Sequence, residues 1–268
     1  MANRSEHRQS SLSSDKLLAI LECLASNRMP VRLQDLSEQS GITQSTVLRY
    51  LRTLQNTGYV YQDEETLRYA LTWKLCSLTE NLNSFAGLRN IASPIVNRLA
   101  GTLHLGVCLV VPKDHHTMYL DCIDYPGAQY NTEYIGKQAP LHTVACGKLF
   151  LSTYSPAQLD VYIEKVGLQK LTPNTITDRD QLVEMLEQVR RQGYGEDKEE
   201  CEEGLACVGY PLYNYKGEIC AGISYFGDAY EMRDPERLKA VHRELQGASR
   251  EISRRLGWIG PDSTPEQD

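Results

Sequence analysis

No stretch of this 268-residue chain approaches the roughly 18 to 20 uninterrupted apolar residues that a membrane-spanning helix needs. The best apolar run, Gly106 to Val111, has the length of a buried strand. The first dozen residues are polar and lack the apolar core of a secretory signal, so no export and a cytoplasmic location are expected. The pair C-x-x-C is absent, and Cys201 and Cys207 have no histidine pair at zinc-finger spacing, so neither a metal nor another cofactor is expected. The eight cysteines therefore read as reduced, most of them small buried hydrophobes. There is no internal repeat and no low-complexity segment. An excess of positive charge is missing too: the formal net charge is −7, which makes an acidic polymer a poor default partner.

Enzyme signatures are incomplete as well. A phosphate-binding loop ending in Gly147-Lys148 would need glycine at 142 and serine or threonine at 149, where the chain has His142 and Leu149. Gly222-Ile223-Ser224-Tyr225-Phe226 lacks the closing glycine of a hydrolase nucleophile elbow. Cys146 and His142 stand four apart, but a strand-to-helix turn sends such side chains in different directions. No enzymatic activity is expected.

What is present is unevenly distributed. Residues 1–75 hold nine Lys and Arg against eight Asp and Glu, a net of +1, so the acidity belongs to the remaining 193 residues, which carry −8. In the first part, Ser13 or Ser14 is placed to cap a helix whose leucines 17, 18, 21 and 24 line one face. Leu33 and Leu36 mark a second, short helix that stops at Gly41. Thr43 then caps a third, in which Val47, Leu51 and Leu54 recur at i, i+4 and i+7 opposite a polar stripe of Ser45, Arg49, Arg52 and Asn56. Gly58 ends it, and two short strands, Tyr59 to Gln62 and Leu67 to Leu71, flank an acidic turn. Three helices followed by a hairpin make a winged helix-turn-helix.

That order of parts turns the third helix into a candidate reader of double-stranded DNA, because such domains lay the start of their second motif helix in the major groove. Thr43, Gln44, Ser45 and Thr46 supply polar groups there, Arg49 suits guanine, and Arg52, one turn on, suits phosphate. Arg68 in the second wing strand is a further candidate for phosphate contact.

From Thr72 to Leu103 the pattern is again helical, with Pro94 expected to kink or divide it. Strand-like runs follow at 106–111 and 117–123, then helical stretches at 156–166 and 178–192. Two last strands near 205–214 and 218–226 flank a turn at Tyr215-Lys216-Gly217, and a closing helix is expected over about 235–256. The expected layout is a tail (1–13), the DNA-binding domain (14–72), a helical linker (73–103), a second domain (104–257) and a tail (258–268). The class is α+β.

Leu141-His142 followed by Gly147-Lys148, and much later Gly193-Tyr194, Asp197, Glu199-Glu200, Gly204 and Cys207, form an ordered pattern. With the winged helix before it, the chain resembles IclR-type transcriptional regulators from about residue 14 to 257. The resemblance implies a C-terminal GAF-like domain, an antiparallel sheet flanked by helices, that binds a small organic or sugar-derived acid and controls a catabolic operon. It also implies a homo-oligomer, a dimer or a dimer of dimers. Ligand contacts carried over by position are Ala145, Cys146, Gly147, Asp197, Cys207, Ser224 and Phe226. Phe226 stands where a small polar residue is usual, so it either narrows the cavity or gives it an aromatic wall. The free N–H groups at the start of the helix at 146–148 suit a carboxylate. The alternative reading is a redox-sensing regulator with Cys146, Cys201 or Cys207 as the switch, Cys146 favoured because a helix N-terminus lowers a thiol pKa.

Overall fold

The protein is represented by a computed structural model that describes residues 12–79, 85–124, 129–130 and 134–260. Most of the expected tails, 1–13 and 258–268, lies outside them. The chain divides into two compact units, Met1–Asn83 and Ser84–Asp268.

In the first unit, α1 (Leu12–Ser26), α2 (Leu33–Ser40) and α3 (Gln44–Asn56) precede a hairpin of β1 (Val60–Gln62) and β2 (Tyr69–Leu71), and α4 (Lys74–Thr79) follows. The hairpin is short because Asp63 folds it back, its Oδ1 accepting from both the backbone N–H and the hydroxyl of Thr66 at 2.7 Å. Gly41 takes the left-handed conformation, φ 65°, that the turn between α2 and α3 requires. Ile20, Leu24, Leu36, Val47, Leu51 and Leu54 meet in one core, with Tyr50 added from α3. Two details of α1 differ from expectation. Leu18 is exposed, because the buried stripe runs through Ile20 and Leu24. The helix also begins before Ser13, which therefore does not cap it; the Ser13 hydroxyl instead bonds the Tyr50 hydroxyl at 2.9 Å, tying α1 to α3.

The second unit opens with α5 (Phe85–Leu103), which runs through Pro94 rather than ending at it. The segment 73–103, expected to be a single connector, is thus divided: α4 falls in the first unit, while Ala92, Ile95, Val96 and Leu99 of α5 are core residues of the second. Next come β3 (Gly106–Lys113), β4 (His116–Asp124), β5 (Gln129–Tyr130), β6 (Gln138–Pro140), α6 (Ala145–Ser152), α7 (Pro156–Val166), α8 (Arg179–Gln192), β7 (Gly195–Lys198), β8 (Leu205–Tyr213), β9 (Ile219–Asp228) and α9 (Pro235–Arg255). Paired antiparallel throughout, the strands order as β5-β4-β3-β9-β8-β7, with β6 also on β4.

Side chains alternate across this sheet, and the alternation creates two cores. Val107, Leu109 and Val111 of β3 and Ala221, Ile223 and Tyr225 of β9 face α5 and α9. Cys108 and Val110 of β3 and Cys122 of β4 pack instead with α6, α7 and α8. The run Gly106–Val111 reads as continuously apolar because it is buried on both sides.

Candidate functional site

The first candidate surface is the face of α3 opposite its buried seam. Thr43, Gln44, Ser45, Arg49 and Arg52 are exposed and Thr46 is half-buried, while Val47 and Leu51 are fully buried. Thr43 occupies the N-cap position but makes no cap bond; its hydroxyl donates to the Thr46 hydroxyl at 3.0 Å. The Arg49 guanidinium lies over the Tyr50 ring, 5.1 Å from its centroid, and donates to the Tyr50 hydroxyl at 3.4 Å, which holds the arginine at the helix surface. Arg68 lies on the hairpin rather than on α3. It precedes β2, is half-buried and donates to the Pro30 carbonyl at 3.4 Å, so the fold itself employs it.

The second candidate is a cavity of about 230 Å³ on the α6 side of the large sheet. Its floor is β3, β4 and β9, through Cys108, Cys122, Ser224 and Phe226, and one wall is the start of α6, through Val144, Ala145 and Cys146. Asp197 and Cys207, paired across β7 and β8, close another side, and Tyr119 and Tyr134 stand at 5.9 Å between ring centroids. Of the residues carried over by resemblance, Ala145, Cys146, Asp197, Cys207, Ser224 and Phe226 are brought together here. Gly147 is not. A Cβ there would collide with the Leu141 backbone, so its lack of a side chain serves the packing of α6.

The start of α6 supplies the cavity's positive end. The first N–H groups of a helix have no intrahelical acceptor. Val144, the N-cap residue, offers no side-chain cap either. The Cys146 side chain turns away from those groups and down onto the sheet, where Gly209 and Gly222 leave room for it; a Cβ at either would lie 2.7 Å from its Sγ. Burial therefore pushes the Cys146 thiol up to about 12, the Ser224 hydrogen bond offsetting only part. Cys201 and Cys207 are raised as well, by burial first and by Asp197 next. The expected low-pKa switch at Cys146 is overturned for this reason. No dyad forms with His142, whose Nδ1 lies 2.8 Å from the Tyr162 hydroxyl.

Asp197 is the most unusual group in the cavity wall. It is 1% exposed, and its Oδ1 accepts from the N–H groups of Glu200 (2.7 Å) and Cys201 (3.4 Å). Its Oδ2 makes no conventional hydrogen bond among the described residues, while the Cys207 thiol, a weak donor, bonds the carboxylate. Burial pushes its carboxyl up to about 6, against the lowering pull of the Glu200 N–H and of Lys148. The folded pKa thus exceeds the unfolded one, so Asp197 favours the fold fully only below about pH 4, and that contribution is gone above about pH 6. A shift of about two units is worth about 3 kcal/mol. Asp197→Asn keeps the Oδ1 bonds and removes the charge but adds an N–H donor, leaving an expected gain of about 1–2 kcal/mol at pH 7 in the ligand-free protein. Urea unfolding at pH 7 and pH 5 checks this: the gain should shrink at the lower pH, and a variant no more stable at pH 7 contradicts it.

Sequence reasoning missed Cys108, Cys122, Tyr119 and Tyr134, although the strand parity that puts Cys108 and Val110 on one face was visible. It also missed Lys148, which is 1% exposed and held by the Glu200 carboxylate and the Glu196 carbonyl (2.6 Å).

Two family models match. Residues 81–254 fit the bacterial transcriptional regulator IclR C-terminal domain, and residues 13–64 the IclR helix-turn-helix domain. The chain is 33% identical over 250 residues to the HTH-type transcriptional regulator KdgR of Escherichia coli (strain K12), covering 91% of this chain and 92% of that one. Among solved structures, the Thermotoga maritima IclR matches with a TM-score of 0.60 at 28% identity, over 92% of this chain and 99% of that one. The inducer-binding domain of the Acinetobacter PobR transcription factor, a double mutant in complex with 3-hydroxybenzoic acid, matches with a TM-score of 0.57 at 26% identity, over 61% and 96%.

Proposed function

The chain belongs to the IclR family of bacterial DNA-binding transcriptional regulators, and from that premise we propose that it controls a catabolic operon in response to a small acid held in the cavity beside α6. The observation that carries this reading is the cavity itself: a helix N-terminus without a side-chain cap and the buried Asp197 carboxylate line one space of ligand size. The inducer complex of the PobR domain supports a small molecule in the equivalent domain. In the first unit, α3 reads the operator through Gln44, Ser45, Thr46 and Arg49, with Arg52 on phosphate.

The active form is a homo-oligomer, a dimer or a dimer of dimers, which matches two readers to a pseudo-palindromic site. Exposed Leu18, Trp73 and Leu78 in the first unit support such self-association.

Coupling runs through β4. This strand lines the cavity with Thr117, Tyr119 and Cys122, while its buried Asp121 accepts from the Ser93 hydroxyl (2.5 Å) and faces Arg89 (3.7 Å), both on α5. A ligand that shifts β4 therefore shifts α5, the first helix of the second unit. A coupling of about 1–3 kcal/mol changes operator affinity roughly 5- to 150-fold.

Arg49→Ala is expected to weaken operator binding by about 1–3 kcal/mol and to relax preference at one base pair, with stability unchanged. Fluorescence anisotropy on the operator and on singly substituted sites reads both effects. Undiminished affinity removes Arg49 from the reading surface.

A further inference from the structure

Two thiols, Cys108 and Cys122, face each other across neighbouring strands of the large sheet. We propose that they form a modification site: a small, neutral, electrophilic oxidant of the hypohalous acid class joins them in a disulfide that ties β3 to β4 and slows the opening of both strands.

Strand pairing sets the frame. Cys108 of β3 and Cys122 of β4 are register partners, and their sulfurs lie 3.0 Å apart, about 1 Å more than an S–S bond. Residues directly opposite on antiparallel strands have Cα atoms roughly 4.5 or 5.5 Å apart, inside the roughly 4.4–6.8 Å that disulfides span. The bond therefore closes without a change of register. A bulge beside the pair eases it further: Leu109 pairs with Asp121 and Val110 with Tyr119, so Leu120 is extra and the β4 ladder is locally interrupted. The tie also falls on the strand that holds α5, since Asp121 accepts from the Ser93 hydroxyl at 2.5 Å.

Access, charge and acidity select the oxidant. Both cysteines line the cavity, but Cys108 is 4% exposed and Cys122 0%, so an entering reagent meets Cys108 first and Cys122 resolves it. Among the described residues no Lys, Arg or His lines this space, while Asp124, Asp197 and Glu202 do, which repels anionic oxidants and admits neutral ones. Burial, and next the contact with Cys122, hold the Cys108 thiol well above its ordinary value. Its thiolate is scarce, which disfavours hydrogen peroxide, an oxidant that needs the thiolate. Hypochlorous acid is small, neutral and electrophilic enough to attack the protonated sulfur.

In the first step an S–Cl bond forms at Cys108 as the O–Cl bond breaks, and the thiol proton leaves with the hydroxide as water. In the second the Cys122 sulfur displaces chloride from the Cys108 sulfur, and the Cys122 proton passes to water. The two thiols lose two electrons, which the chlorine gains in becoming chloride. With its partner already 3.0 Å away, the chlorinated sulfur is captured before water reaches it.

The test exposes the full chain to hypochlorous acid or to hydrogen peroxide at the same low excess, blocks the remaining thiols and digests with trypsin without reduction. Hypochlorous acid is expected to join peptides 99–113 and 114–137, which carry Cys108 and Cys122, and peroxide to do so about ten-fold less. Hydrogen exchange then compares the two forms: amides of β3 and β4 should exchange about ten-fold more slowly when linked, and dithiothreitol should restore the parent rate. Cys108→Ala and Cys122→Ala should each lose both the link and the slowing, and the peptide map of the parent decides even where a variant fails to fold. Recovery of both cysteines as thiols, with oxidation confined to exposed Met29 and Cys76, overturns the proposal, as does a link from either of them to Cys146 or Cys207. Linked strands that exchange at the parent rate overturn the tie, and equal linking by peroxide overturns the oxidant class.

Discussion

Replacing Lys148 with methionine is expected to cost the second unit about 3–5 kcal/mol, whereas Lys148→Met combined with Glu200→Gln should recover most of that loss. Lys148 is 1% exposed on the buried side of α6, its Nζ bonded to the Glu200 carboxylate and the Glu196 carbonyl. Removing it leaves Glu200 as a buried carboxylate whose Oε2 already has no partner among the described residues, beside Asp197, which is itself buried and electronegative. The single variant therefore suffers from an uncompensated charge more than from a lost attraction. The double variant removes that charge, and replacement of buried pairs by neutral groups is often close to neutral. Guanidinium unfolding of the three proteins separates these outcomes. A single variant as stable as the parent contradicts the buried pair, and a double variant no better than the single one contradicts the explanation by charge.

The effect of Lys148 could not be read in the sequence, for a physical reason. Gly147-Lys148 is visible as the start of a helix, but the partner of Lys148 lies on a strand and turn about 50 residues later, and periodicity reports only which face of a local element is apolar. Where the face alone decides, the reading held: Val47, Leu51 and Leu54 are buried and Arg49 and Arg52 are exposed, as the 3.6-residue spacing requires. The hairpin at 215–217 also held. Asn214 Oδ1 accepts from the N–H groups of Lys216 and Glu218, fixing the turn locally. Where two local rules compete, the sequence does not say which wins. A helix N-terminus lowers the pKa of Cys146 and burial raises it; glycines on β8 and β9, more than 60 residues away, let the sulfur sink into the sheet and give the result to burial. Pro94 is similar. In isolation it breaks a helix, but α5 buries Ile95, Val96 and Leu99 against the sheet, and tertiary packing overrides the local penalty.

The cavity shows the same division. Cys108 and Val110 could be assigned to one face of β3 from alternation, yet nothing local says that this face meets α6 while Val107 and Leu109 meet α5 and α9. That choice follows from the β3–β9 and β3–β4 pairings, which join segments far apart in the chain. The residues carried over from the family pattern converge because those pairings converge. Tyr119, Tyr134 and Cys122, which no pattern flagged, are what give this cavity its own character.

Leu51→Ala is expected to abolish operator binding although Leu51 faces away from the reading surface. Leu51 is fully buried at the centre of the core that joins α1, α2, α3 and the hairpin. Truncating such a leucine costs about 2.7–5.0 kcal/mol, the transfer term plus the cavity left behind. The first unit is small, and small domains are stable by only a few kcal/mol, so the loss is comparable to the whole. Gln44, Ser45, Thr46 and Arg49 then lose the rigid support that holds them in register. The second unit has cores of its own and should keep its ligand affinity. Two measurements distinguish this variant from Arg49→Ala: a circular-dichroism melt, in which Leu51→Ala loses an early portion of the helical signal and Arg49→Ala does not, and anisotropy on the operator, in which both are weakened. Operator binding by Leu51→Ala at the parent's affinity contradicts the assignment of one face of α3 to the core and the other to DNA. Loss of both operator and ligand binding would mean that the two units do not fold independently.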